Sequence, residues 1–458
     1  MISTSLPVKT LFCSLAIVSV MTIGTAQAAL KTWNNTGTDF NAAGSWTGGS
    51  PSGNNVASFN AAAVTQPKLS SPVSVSGLFF SGTGSSGYDI TNTTTEALTL
   101  TGTSTSGSSG TSDSSAAAIR NEISSGTNTI DVPLVLSSTS GTSTFVQSGA
   151  GTLVVNGAIS GNALSLRGGA GVIQLNGVNS FAAASIDTAG ETLVIGNNSA
   201  LGAGTFTINS TSTIQAGGGS RIIPNAVVLA GNTTISGVNA ITFNGSVTSS
   251  GSNSRTLTVS NTGGATLAGN VFLQEAAATG RTFTILGTSA VNITGVVTDG
   301  GTGPALLKYT GSNVLTLNNT NTYSGGTQET ISGSTIVANH DGALGSGNIS
   351  LTAATVTLTL QNGAVNNYIA NSANLSLLNT DTVNLNYNGT DTIGELIINN
   401  VAQAIGTYGA VGSGAMNELP EFMGTGFLNV TASIPEPATW MLMGVGLLLG
   451  AQRLRRKS

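Results

Sequence analysis

Apolar residues in this chain come in short bursts. Thr152-Leu153-Val154-Val155, Gly171-Val172-Ile173-Gln174-Leu175, Thr256-Leu257-Thr258-Val259 and Leu315-Thr316-Leu317 are runs of β-branched or aliphatic side chains. Gly, Asn or Ser bounds each run, which is the punctuation of short β-strands. Helical periodicity is almost absent. The best helical candidate, Ser115 to Ile123, is two turns at most. The pattern predicts an all-β chain.

Two longer apolar stretches lie at the ends. Leu11 to Ile23 follows Lys9 and precedes Ala26-Gln27-Ala28, a small-x-small sequence. This is the layout of a secretory signal peptide cleaved after Ala28, so that the mature chain begins at Ala29. At the other end, Pro435-Glu436-Pro437 precedes the apolar run Trp440 to Ala451, and Arg453, Arg455, Arg456 and Lys457 follow. As a helix that run would rise about 18 Å at 1.5 Å per residue. The hydrocarbon core of a bilayer is about 30 Å thick. The expectation is a short C-terminal transmembrane helix that must tilt or thin the bilayer, with its basic cluster on the cytoplasmic side. Everything between Ala29 and Ile434 then lies outside the cytoplasm.

The Pro-Glu-Pro tripeptide, short apolar segment and terminal Arg cluster from Pro435 to Lys457 resemble the PEP-CTERM sorting signal. The resemblance implies a Gram-negative bacterium and export through the Sec machinery. It also implies transient anchoring in the inner membrane and recognition by an exosortase, a membrane-embedded cysteine protease that cuts the tail. The wider setting it implies is exopolysaccharide and biofilm.

The middle of the chain repeats itself. Leu175-Asn176-Gly177-Val178-Asn179-Ser180-Phe181, followed by Asn198-Ser199-Ala200-Leu201-Gly202-Ala203-Gly204, has a partner. That partner is Leu317-Asn318-Asn319-Thr320-Asn321-Thr322-Tyr323, followed by Asp341-Gly342-Ala343-Leu344-Gly345-Ser346-Gly347. Short strands recurring with small-residue turns indicate a solenoid. The stretch Leu315 to Gly326 and the two Ala-Leu-Gly-x-Gly segments resemble the autotransporter-associated β-strand repeat family. The first copy departs from that family's pattern, with Ala182-Ala183-Ala184 where the second has Ser324-Gly325-Gly326. The family is similar to β-helical passenger regions, and autotransport itself is not expected from the resemblance.

A parallel β-helix fits these residues physically. Small aliphatics suit a narrow interior, Gly and Asn suit the corners, and Asn and Thr can stack in ladders between coils. At roughly 20 to 25 residues per coil, some 14 to 17 coils would make a rod on the order of 70 to 80 Å long. A string of β-sandwiches is the competing architecture. The expected organisation is a signal peptide at 1–28, aromatic-rich cap strands at 29–80, and a Ser/Thr/Gly-rich loop or spacer at 81–118. A repeat solenoid at 119–433 and the sorting tail at 434–458 follow. The stretch Thr91 to Ser114 reads as free of core residues. Trp33, Phe40, Trp46 and Phe59 concentrate aromatics near the mature start, either as a cover for the first coil or as a sugar-stacking surface.

Composition narrows the chemistry. Only 7% of the 458 residues are charged, 62 are Gly, and the one cysteine, Cys13, falls in the signal peptide. The mature chain therefore has no disulfide or thiolate chemistry. Between Ala29 and Ile434 eight basic residues face seventeen acidic ones, and no basic stripe exists for phosphate, so nucleic acid is not an expected partner. His340 is the only histidine and reads as part of a polar corner. No residue is nominated as catalytic, cofactor-binding or metal-ligating. β-Helical lyases and glycosidases need clustered carboxylates. The candidate pairs here are Asp187 with Glu191, Asp381 with Asp391, and Glu418 with Glu421. The expected function is that of an exported, non-catalytic surface or extracellular-matrix protein with a structural or adhesive role. The alternative is a carbohydrate-active β-helix enzyme, which three or more carboxylates converging in one groove would favour.

Overall fold

A computed structural model describes residues 29–432 except 83, 103–116, 170 and 279. The expected cleavage residues Ala26 and Ala28 lie outside the described residues. So do the tail residues Pro435, Glu436, Pro437, Arg453, Arg455 and Arg456.

Each apolar burst becomes one strand, and the strand pairs with its counterpart one coil away. Leu153 stands opposite Ile173, Ile173 opposite Leu193, and Leu193 opposite Ile214, all in parallel register. The longest sheet places fifteen strands in parallel succession, from Lys68–Leu69 to Leu396–Ile398, and a sixteenth, Val401–Ala402, closes it. One strand per coil makes fifteen coils, a rod about 70 Å long at about 4.8 Å per coil. This longest sheet is the second face. The first face is a thirteen-stranded sheet running from Trp46–Thr47 to Val297–Thr298. The third face holds a four-stranded sheet, Val73–Val75 to Ile159–Gly161, and a nine-stranded one, Arg221–Ile223 to Phe422–Gly424. Among the described residues the only helix is the 3-10 turn Ala43–Ser45.

Period-2 alternation explains why these strands assemble. In Thr152–Val155, Leu153 and Val155 point inward and are fully buried, while Thr152 and Val154 are only partly covered. Neither half of the pattern can be satisfied by one coil, so burial requires stacking. The inward residues line up in rows along the axis, such as Ile241, Ala265, Val291, Leu315, Ile336 and Leu358.

The parallel stack begins well before residue 119. Leu30–Trp33 already pairs in parallel with Val56–Phe59, which pairs with Gly77–Phe80 and then with Ile119–Asn121. Two expectations are corrected here. The segment from Thr91 to Ser114 does carry core residues, because Leu98–Leu100 is a third-face strand with both leucines fully buried. Ile119–Asn121, within the helical candidate, is a strand. A three-residue coil strand shows only two apolar positions, too few to register as periodicity.

The ends are closed differently. At the first coil, Trp46–Thr47 turns back antiparallel on Leu30–Trp33. Trp33 and Trp46 meet edge to face at 5.0 Å, Phe40 meets Trp46 at 4.9 Å, and Phe59 stacks on Phe80 at 4.9 Å. All these rings are buried, so they fill the rod's end and offer no face to a sugar. At the last coil, Val401–Ala402 runs antiparallel on Leu396–Ile398, and Gly406–Gly409 runs antiparallel on Phe427–Val430. Reversed segments block edge strands that would otherwise pair with another chain.

The repeat copies have the same local structure on different faces. In the first, the Ile159 N–H donates to Asn179 Oδ1 at 2.8 Å, and Asn179 Nδ2 donates to Ala200 O at 2.7 Å. In the second, the Val297 N–H donates to Asn321 Oδ1 at 2.7 Å, and Asn321 Nδ2 donates to Ala343 O at 2.7 Å. Each Asn thus joins three coils. Phe181 and Tyr323 are buried beside them, as are Ala200-Leu201 and Ala343-Leu344. The first copy follows a second-face strand and replaces the third-face strand. The second follows a third-face strand and replaces the first-face strand. The motif has moved round the rod by one face.

Candidate functional site

The outer surface is built by the same alternation as the core. On the nine-stranded sheet, Thr242, Thr266, Asn292, Thr316, Val337, Thr359 and Asn384 occupy the outward position of seven successive coils, between Ile222 at one end and Met423 at the other. All are partly exposed, and none of that row is charged. Beside it a ladder of amides runs along the axis. Asn318 donates to Asn292, Asn339 Nδ2 to Asn318 Oδ1 at 2.7 Å, Gln361 Nε2 to Asn339 Oδ1 at 3.0 Å, and Asn386 Nδ2 to Gln361 Oε1 at 3.1 Å. A shorter ladder on other coils links Asp131, Asn156 and Asn176. Amide side chains carry both donors and acceptors, so one residue can bridge the coil below and the coil above.

The carboxylates are deployed as structural acceptors. Asp187 lies on the outer surface, accepting from Ser165, Ser185 and Asn209, with the Arg167 guanidinium at 3.6 Å. Glu191, four residues on, is fully buried, and its Oε2 accepts from the Gly169 N–H at 3.1 Å. The first pair is therefore split between outside and inside. Asp381 accepts from the Val356 and Leu378 N–H groups, and Asp391 from the Ile369 N–H. Glu418 accepts from the Gly412 and Gly414 N–H groups at 2.8 Å each, which holds its carboxyl below the usual range, while Glu421 is nearly buried. Burial pushes Glu191 up to about 8 and Asp391 up to about 7, and it raises Glu329 and Asp381. A neighbouring carboxylate adds to the effect of burial at three acids: Asp131 at Asp89, Asp381 at Glu329, and Asp341 at Asp391.

His340 is exposed, with Nδ1 2.9 Å from Asp341 O and 3.1 Å from Thr320 Oγ1. Among the described residues no group of three His, Cys, Asp or Glu is arranged to hold a metal. None of their helices is long and apolar enough to cross a membrane. A surface recess of about 400 Å³ lies between coils and is lined by Ser260, Thr262, Gly264, Ser289 and Asn313 among others. Its lining is hydroxyl, amide and backbone, with no titratable side chain.

The chain leaves the rod at its far end. Phe427–Val430 is the last strand among the described residues, and Ala432 is the last described residue. The fold thus defines a class, a parallel β-solenoid whose two ends are capped. The PEP-CTERM protein-sorting motif matches residues 433–457. That signal is typical of proteins exported by Gram-negative bacteria and is recognised by an exosortase, which makes the chain an exported surface protein. No curated protein and no solved structure matches the chain.

Sequence reasoning missed the inward direction of Glu191, Glu329 and Asp391. The signal was present in their context. Glu191 directly precedes Thr192–Ile195, and Glu329 and Asp391 lie inside strands whose alternation assigns them to buried positions.

Proposed function

We propose that this protein is a non-catalytic structural or adhesive rod of the cell surface or extracellular matrix, associated with exopolysaccharide. The observation that carries the reading is the uncharged outer row of the nine-stranded sheet, mostly Thr and Asn and interrupted by Val337, with its amide ladder alongside. A rigid, evenly spaced array of hydroxyls and amides suits repeated weak hydrogen bonding to a neutral sugar polymer, where affinity comes from multiplicity. The signal peptide starts export, and the tail holds the chain in the inner membrane until an exosortase cuts near Pro435-Glu436-Pro437 and releases the rod outward.

Two measurements test this. Residues 29–432 are incubated with a panel of insoluble and soluble polysaccharides. Retention on a neutral polymer without change in its chain length supports the reading, and reproducible depolymerisation overturns it in favour of a carbohydrate-active enzyme. In native cells, replacing Pro435, Glu436 and Pro437 by Ala should leave uncut protein in the membrane fraction. A surface-exposed native protein still carrying Arg453 to Ser458 would make the tail an anchor and not a processed signal.

A further inference from the structure

The exposed apolar side chains are not spread evenly along the rod. Of the twelve large hydrophobic residues exposed in the described chain, five fall between residues 401 and 423: Val401, Ile405, Val411, Met416 and Met423. Topology puts all five at the terminal end. Val401 sits on the reversed strand that closes the second face, and Met423 on Phe422–Gly424, the last strand of the third. Ile405 precedes the reversed strand Gly406–Gly409, and Met416 precedes Asn417–Glu418, the outermost strand of the end sheet. The Met416 N–H donates to Thr407 Oγ1 at 2.9 Å, and the Met416 side chain lies against Gly406, the residue after Ile405. Val411 is at the tip of a glycine-flanked loop held by Glu418, and it is 71% exposed, as Met416 is 75%.

A cap needs apolar residues only where they cover the core, and Tyr408, Phe422 and Leu428 already do that here. The outward set is surplus to closure. At the opposite end the equivalent rings are buried, with Leu30 and Val64 as the exposed aliphatics. The terminal end is also where the chain exits. Between Ala432 and Trp440 there are eight residue steps, which span about 28 Å at most when fully extended. Proline at 435 and 437 disfavours a helix that would lengthen the rod. If Trp440 begins the membrane segment, the cap cannot stand farther than this from the lipid.

We propose that the C-terminal cap seats on a lipid bilayer surface while the tail is attached, with Ile405, Val411 and Met416 entering the headgroup layer. This rests on the anchoring reading given above. Seating would hold Pro435-Glu436-Pro437 at the membrane surface, where a membrane-embedded protease can reach it. No Lys or Arg occurs between Lys308 and Arg453, and eight acids do, so the contact is apolar and not electrostatic. The fitting partner is a neutral lipid surface, against which shallow apolar insertion has no charge repulsion to overcome.

The mature chain has no cysteine, which permits single-site labelling. Val411→Cys, Met416→Cys and, at the far end, Val64→Cys are made in the chain from 29 to 458, labelled with an environment-sensitive dye and mixed with phosphatidylcholine vesicles. The chain should float with the vesicles. A quencher placed in the acyl region should then quench labels at 411 and 416 severalfold more than the label at 64. The double variant Ile405→Ser with Met416→Ser should bring quenching at 411 down to the level at 64. Flotation with equal quenching at all three sites overturns the seating proposal and leaves anchoring intact. Failure to float overturns both. A dye response at 411 and 416 that rises with protein concentration without vesicles would assign the cap to a second copy of the chain, and that too overturns the proposal.

Discussion

Glu191 is a carboxyl group that folding makes harder to ionise. It is fully buried, with Gly169 N–H on one oxygen and no partner on the other, and burial lifts it from 4.5 to about 8. Asp391 is lifted from 3.8 to about 7 for the same reason. When the folded pKa exceeds the unfolded one, the folded chain holds more protons between the two values. Stability is then greatest at or below the unfolded pKa and falls as pH rises through the window. A tenfold difference in proton affinity between the folded and unfolded chain corresponds to about 1.4 kcal/mol. Between pH 4.5 and 8 the protein should therefore lose stability with rising pH. Thermal unfolding across this range should show Tm highest near its acid end, and a flat or rising Tm would refute the burial argument. Glu191→Gln should raise Tm near the alkaline end of the window, leave it nearly unchanged near the acid end, and flatten the profile. Exposed acids held down by hydrogen bonds, such as Glu96 at about 2, act only below this window.

Asn179 and Asn321 supply the second residue-scale test. Replacement by Ala strands the Ile159 or Val297 N–H and the Ala200 or Ala343 carbonyl inside the rod. Leaving buried groups unpaired costs about 1 to 3 kcal/mol each, so either variant, which strands two, should lose roughly 2 to 6 kcal/mol. Equal losses for the two Asn, measured by urea denaturation, are what the shared geometry predicts. A loss at only one would mean that the copies are not energetically equivalent. Gly202 and Gly345 belong to the same units. Their φ values are 70° and 72°, and an added Cβ would stand 2.6 Å from the Phe181 ring or 3.0 Å from the Tyr323 ring.

At the scale of elements, strands too short to be stable singly are held by neighbours on both sides, and the two end coils lack one neighbour. The first coil makes up the deficit with aromatic rings. Trp46 packs against Trp33, Phe40 and Phe59, and its Nε1 donates to Phe40 O at 2.7 Å. Trp46→Ala should cost about 3 to 5 kcal/mol, typical of a buried large ring removed. Because solenoid stability is shared between neighbouring units, the loss should be felt mainly in the first few coils. Hydrogen exchange should therefore speed up around Leu30–Trp33 and Val56–Phe59 while Thr335–Ala338 keeps its protection. Uniform deprotection along the rod would show that the coils unfold as one unit.

The whole molecule is set by the number of coils and the way they stack. Fifteen coils at about 4.8 Å each make a rod about 70 Å long. Small-angle scattering of residues 29–432 should give that length and a cross-section a few strands wide. A chain of separate β-sandwiches would be longer and jointed, and its scattering would lack a single rod cross-section. At this scale charge is polarised as well. All eight Lys and Arg residues between 29 and 432 lie at or before Lys308, and the charged residues of the last hundred and more positions of the rod are acidic only. The end of the rod that precedes the sorting motif therefore has no basic residues of its own.

The class of fold was legible in the sequence because strand burial has a period of two and the apolar bursts keep that period, as in Thr152–Val155 and Thr335–Ala338. The repeat units were legible because Asn179 and Asn321, Phe181 and Tyr323, and Gly202 and Gly345 each serve a local geometry that few other residues satisfy. The tail motif was legible because order and composition alone carry it. Only stacking decided the rest. Leu98 and Leu100 were hidden because a strand with two inward residues has no measurable period. The direction of Glu191 and Asp391 depends on register, and a shift of one residue turns a side chain from core to solvent. The movement of the repeat unit from one face to another depends on the sum of all preceding coil lengths. The gathering of Val401, Ile405, Val411, Met416 and Met423 at one end depends on where the chain reverses. These are non-local quantities, fixed by which coil lies on which, and a linear pattern of polar and apolar residues does not contain them.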